Sequence, residues 1–180
     1  MDSNAAPVGD DSQHGRPGVF PAVLFWVLGI AGYLLMTGLI GWRAVHDPAV
    51  LRRFEPDNWI LMGGLAIATL AGCRIHHAVL PGPFAEGVRA VTVATWMVAT
   101  LWIPLLVVAG RRLDNHRAGA WWAAVFPLGM YSAATYAMAG ETGWRTLTVV
   151  SLVFFWIAFA AWLIVAGGVL AELSARRSRT

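Results

Sequence analysis

The chain has no lysine and a single cysteine, Cys73. One cysteine excludes a disulfide framework within the chain, and its ordinary role is that of a small packing residue. Carboxylates are scarce where they would matter most. Asp2, Asp10, Asp11, Asp47, Glu55, Asp57, Glu86, Asp114 and Glu141 all fall outside the long apolar runs, and Glu172 stands at the end of the last one. A carboxylate at the centre of a bilayer is costly and commonly marks an ion pathway or proton relay, so those functions lose ground. The sequence also lacks a nucleophile–base pair, a phosphate-binding loop and a metal-ligand spacing. An enzyme is therefore not expected, nor a cofactor, nor a metal.

Apolar side chains fill the space. Of 180 residues 58% are hydrophobic and only 13% charged, far too apolar for an ordinary soluble domain. A spanning helix needs roughly 20 mostly apolar residues to cross the hydrocarbon layer. Five stretches qualify, at about 19–42, 58–80, 88–110, 118–140 and 145–172. The expected fold is all-α: a five-helix integral membrane bundle over 19–172, after a disordered polar leader at 1–18 and before a basic tail at 173–180. The first apolar run is too long for the core of a secretory signal.

The arginines set an orientation. Arg43, Arg52, Arg53, Arg111, Arg112, Arg117, Arg176, Arg177 and Arg179 fall on one side of the bundle, and only Arg16, Arg74, Arg89 and Arg145 on or near the other. The positive-inside bias then predicts a multi-pass protein of the cell membrane with a cytoplasmic C-terminus and an outside N-terminus. These cations sit beside apolar spans, so the net charge of +3 predicts a lipid bilayer as partner and no nucleic acid.

Two helices carry unusual patterns. In the second span Gly64, Ala68, Ala71 and Gly72 share one helix face. Such a smooth face either admits another helix at close range or lines a narrow pore. Arg74, His76 and His77 follow at the outer end, where positive charge would make a vestibule for anions. Adjacent histidines do not share a helix face, so this pair alone predicts no metal site. In the fourth span small residues fill more than half of the positions, and Pro127 lies near its middle. A proline there frees the carbonyl of Ala123 from its helical partner. In a bilayer that carbonyl needs protein or cavity water, so the kink stands beside a polar cavity or serves packing alone.

At this helix the chain resembles a known family. The run Trp121-Trp122-Ala123-Ala124-Val125-Phe126-Pro127-Leu128-Gly129-Met130-Tyr131-Ser132-Ala133-Ala134-Thr135-Tyr136 is similar to the ninth helix of the tellurite-resistance/dicarboxylate transporter family. That family takes in bacterial tellurite-resistance channels, yeast malate and sulfite carriers and plant slow-type anion channels. Pro56-Asp57-Asn58-Trp59-Ile60-Leu61-Met62-Gly63-Gly64-Leu65-Ala66-Ile67 resembles the segment entering the seventh helix. Family members arrange ten helices as five hairpins around a pore, odd helices inside and even helices outside. The resemblance covers the C-terminal half. It implies that the second and fourth spans line the pore while the first, third and fifth face outward. It implies Phe126 as the pore gate, with Ala123, Pro127, Gly129, Met130 and Ala133 on the same kinked helix, and Gly64, Ala68, Ala71 and Gly72 opposite. Five helices cannot close that pore alone, so a homo-oligomer or a missing N-terminal half is the expected partner.

The function this implies is that of a membrane anion channel or carrier component, moving small inorganic or dicarboxylate anions, as a truncated product or one half of a split transporter. The alternatives are a non-transporting accessory or ligand-binding membrane protein and an inactive fragment. Tryptophan-rich five-helix sensory proteins have a similar length, but their Trp-Tyr and Pro-Pro signatures are not found.

Overall fold

A computed structural model describes residues 18–47, 58–110 and 118–177. Five helices make up the bundle: α1 Val19–His46, α2 Asn58–Ala78, α3 Pro83–Gly110, α4 Ala118–Thr142 and α5 Arg145–Arg177. No strand occurs among the described residues. Residues 1–17 of the leader, Arg52, Arg53, Arg111, Arg112, Arg117 and Arg179 lie outside the described residues, and so do the side chains of Trp59, Trp121, Trp122 and Ala123.

Helix ends follow local chemistry rather than the edges of the apolar runs. Helix α3 begins at Pro83, ahead of the run that opens near Val88. Proline suits a first turn, whose N–H groups have no intrahelical acceptor, and Glu86 in that turn complements the helix dipole. Helix α4 stops where Gly143 takes φ +70° and donates its N–H to the Ala139 carbonyl at 3.0 Å. That left-handed conformation costs glycine nothing. The helix resumes as α5 at Arg145, so the connection is very short and the two helices are antiparallel neighbours. Helices α3 and α4 both run uninterrupted through their prolines, Pro104 and Pro127.

Helix α2 is the hub. It packs on α1, α3 and α4, while α5 packs on α4. The main core joins Met62, Leu65 and Ala66 of α2 to Ala99 and Leu106 of α3, Leu128, Tyr131 and Ala134 of α4, and Ala158 of α5. Hydrophobic burial gives little association energy between helices already in lipid, so close packing and hydroxyl bonds carry more of it. Both are present. Thr69 and Thr95 oxygens meet at 3.0 Å, Tyr131 and Thr100 hydroxyls at 2.9 Å, and the Trp96 indole donates to Thr135 at 3.2 Å. Ser132 and Ser151 donate to each other's backbone carbonyls, both at 2.8 Å, fastening α4 to α5.

Four of the helices, α1, α2, α3 and α5, are long and apolar enough to cross a membrane by length and composition. Helix α4 has the length, at 25 residues, but its glycines, tyrosines, serine and proline dilute its hydropathy. Its position accounts for this. One side of α4 is buried against α2, α3 and α5 through Pro127, Leu128, Tyr131, Ser132, Thr135 and Met138, so it needs less lipid-facing surface than the others. Helix α1 is the reverse case. It touches the bundle through Trp26, whose indole donates to the Ala68 carbonyl at 2.7 Å, and most of its other large side chains are exposed.

Candidate functional site

The expected pore residues separate into two groups. On α4, Phe126 is 60% exposed, whereas Pro127 beside it is fully buried. The proline ring lies against Gly63 of α2, where an added Cβ would come within 3.4 Å of it. A mid-helix proline therefore sits in the α2–α4 seam and turns its neighbour outward. Ala133 and Gly140 are exposed on the same face as Phe126, and Gly129 and Met130 are partly so. On α2, Ile60, Ile67 and Arg74 recur every seventh residue and are exposed as well. Helix α3 packs behind both through Thr95, Trp96 and Thr100. The open faces of α2 and α4 thus lie side by side, away from α3. They form an apolar strip that carries Phe126 along its length and Arg74 at one end.

Gly64, Ala68, Ala71 and Gly72 do not join this strip. They face α1 and α3. Tyr33 of α1 packs at Gly64, Trp26 bonds at Ala68, and a Cβ at Gly72 would collide with Thr92 Oγ1 and touch the Trp26 ring. Of the two readings of the smooth face, close packing describes Gly72. Gly64, Ala68 and Ala71 border a cleft of about 650 Å³ between α1, α2 and α3. Tyr33 and Thr95 are the polar side chains of that cleft, and the rest is aliphatic or aromatic. Such a lining suits acyl chains better than a hydrated anion.

The two histidines at the end of α2 meet a group that linear spacing does not show. His76 Nδ1 lies 2.9 Å from one oxygen of Glu141, and His77 Nε2 lies 2.9 Å from the other. Successive residues on a helix point about 100° apart, which argues against a shared target. The two rings overcome this by using different nitrogens. His76, mostly buried, presents its near nitrogen; His77, mostly exposed, reaches back with its far one. Glu141 comes from the last turn of α4, and its side chain is only 5% exposed. Arg74, on the outward strip, is exposed. The expected vestibule is thus a cation next to a carboxylate–imidazole cluster. Its missing member could have been sought in the one acidic residue near the end of the fourth apolar run.

Comparison with known proteins adds an independent line. A family model described as "SLAC1: Voltage-dependent anion channel" matches residues 3–170. An uncharacterized membrane protein of Mycobacterium tuberculosis is 28% identical over 158 residues, covering 82% of this chain and 80% of that protein. An uncharacterized transporter of Methanocaldococcus jannaschii is 22% identical over 146 residues, covering 77% of this chain but 42% of the transporter. No solved structure matches.

Proposed function

This chain belongs to the voltage-dependent anion channel family, and on that footing we propose that it is a component of a membrane anion channel or carrier of the tellurite-resistance/C4-dicarboxylate type. Helices α2 and α4 contribute their open faces to the conduit wall, and Phe126 is the gate. The observation that carries this reading is the contrast at residues 126 and 127. A large aromatic ring stands 60% exposed on the face of a small-residue helix, while the proline beside it anchors that helix to α2. An isolated lipid-facing helix has no need of such an arrangement. A ring held on a bare wall blocks a narrow passage, and its rotation clears it.

In this reading the strip is an arc of a wall, completed by a second copy of the chain or by a separate N-terminal half. Arg74 stands at the outer mouth with His76 and His77, the C-terminus is cytoplasmic, and the cargo is a small inorganic or dicarboxylate anion. The absence of a basic side chain along the strip between Ile60 and Arg74 suits rapid passage, because strong binding slows release. The test is anion flux from proteoliposomes holding the full chain, with and without a candidate N-terminal half. Phe126→Ala is expected to raise chloride or nitrate flux several-fold. Flux that is unchanged by the substitution removes the gate, and a chain silent in every combination removes the transport reading. The apolar cleft between α1, α2 and α3 favours a second reading, a membrane protein that binds a lipid-like ligand, which tight stoichiometric binding of a sterol or tetrapyrrole would support.

A further inference from the structure

We propose that His76, His77 and Glu141 form a binding site for a divalent transition metal of the zinc class, tying the end of α2 to the end of α4. The ligand atoms of the three residues all lie within 4.8 Å of one another. Ligands held at about 2.0–2.1 Å in a tetrahedral zinc site stand about 3.3 Å apart, so small side-chain adjustments are enough to enclose an ion. Two imidazoles and one carboxylate make a donor set that suits zinc. Calcium and magnesium ask instead for oxygen donors throughout.

The cluster has the distances of hydrogen bonds without their alignment. Nδ1 of His76 and Oε1 of Glu141 are buried, and neither has a hydrogen-bond partner of acceptable direction, although each has an oppositely disposed atom at 2.9 Å. A nearly buried carboxylate that keeps its charge is paired with a cation or coordinates a metal. Among the described residues the two imidazoles are the basic groups within ion-pair distance of Glu141. Arg89 borders the same crevice but is half exposed and lies 3.8 Å from Glu86. Arg74 and Arg145 are exposed.

The framework around the cluster is fixed. One turn deeper in the same seam, the Cys73 thiol meets the Met138 sulfur at 3.8 Å, with both side chains buried. That contact holds α2 and α4 in register directly beneath the three ligands. On the other side His77 is 66% exposed, which leaves a fourth coordination position to water or to an anion. Three protein ligands with one open position is a common zinc arrangement. The site stands on its own geometry and does not depend on whether the chain conducts.

The experiment is a titration of untagged full-length chain in nanodiscs with Co²⁺, followed by its visible absorption, and then with Zn²⁺ as competitor. One Co²⁺ per chain is expected, with the bands of a four- or five-coordinate ion that Zn²⁺ displaces. Glu141→Gln and His77→Ala should each weaken binding by more than about tenfold, since even outer-shell partners of a metal contribute that much. His77 is largely exposed, so its substitution leaves the packing intact. Cys73→Ser should bind as the parent does. Thermal unfolding gives a second readout: Zn²⁺ raises the midpoint of the parent and leaves that of His77→Ala where it was. A chain that Co²⁺ and Zn²⁺ do not affect overturns the site. So does binding that survives both His77→Ala and Glu141→Gln undiminished, and binding lost in Cys73→Ser moves it to the thiol.

Discussion

Two glycines on α2 show how a single atom decides what a position tolerates. Gly63 leaves room for Pro127 at ordinary contact distance, while Gly72 has no room for a Cβ beside Thr92. Threonine is stiff at χ1, so its hydroxyl cannot swing clear without losing its bond to the Val88 carbonyl at 2.7 Å. Gly72→Val is therefore expected to destabilise the folded chain by about 1–3 kcal/mol. Gly29→Ala on α1, where nothing lies within 4 Å of the new atom, should be neutral or slightly stabilising. Thermal unfolding in detergent checks both. Gly72 could be read from the sequence as part of a smooth face, but not which neighbour that face would meet. The histidines were legible in the same partial way. Their adjacency puts them on different faces of the helix, and it does not register the unequal reach of Nδ1 and Nε2. Glu141 was visible only as a residue outside the apolar core of its span, because nothing local to it indicates that α2 ends at the same level.

At the scale of the element, helices were readable from apolar length, and their ends were not. Pro83 and Gly143 set two of those ends through backbone chemistry that hydropathy does not register. The fourth helix was placed by the same apolar length, although it is the one of the five that falls short of a spanning hydropathy; its small residues find their use in the α2–α4 and α4–α5 contacts. The reciprocal pair Ser132–Ser151 is the tightest polar link between α4 and α5. Hydrogen bonds between helices in membranes average about 0.6 kcal/mol and reach about 1.7. A double-mutant cycle with Ser132→Ala and Ser151→Ala should give a coupling in that range, because each serine serves as donor and acceptor for the other. A coupling of zero in unfolding measurements would mean that packing alone holds this pair of helices.

For the whole molecule the outstanding feature is α1, which leaves Leu24, Leu28, Leu35 and Trp42 exposed outside its own bundle. In a monomer those side chains meet lipid. In a homo-oligomer joined through α1 they meet a second copy, and Leu35→Cys tests for that contact. A disulfide-linked dimer formed in native membranes under mild oxidation places two copies with α1 against α1, whereas a chain that stays monomeric under the same oxidation assigns that face to lipid or to a different polypeptide. Either way Cys73 does not interfere, because it is buried. The short Gly143 turn has a consequence for how the molecule is made. The least apolar helix is joined by it to α5, the most apolar of the four spans. During synthesis α4 would emerge from the ribosome with little tendency to leave the aqueous channel of the insertion machinery. It would be drawn sideways into lipid only once α5 followed, so the two helices enter as one hairpin. A chain stopped at Gly143 should therefore leave its last segment unthreaded and open to protease, even though every residue of α4 is present.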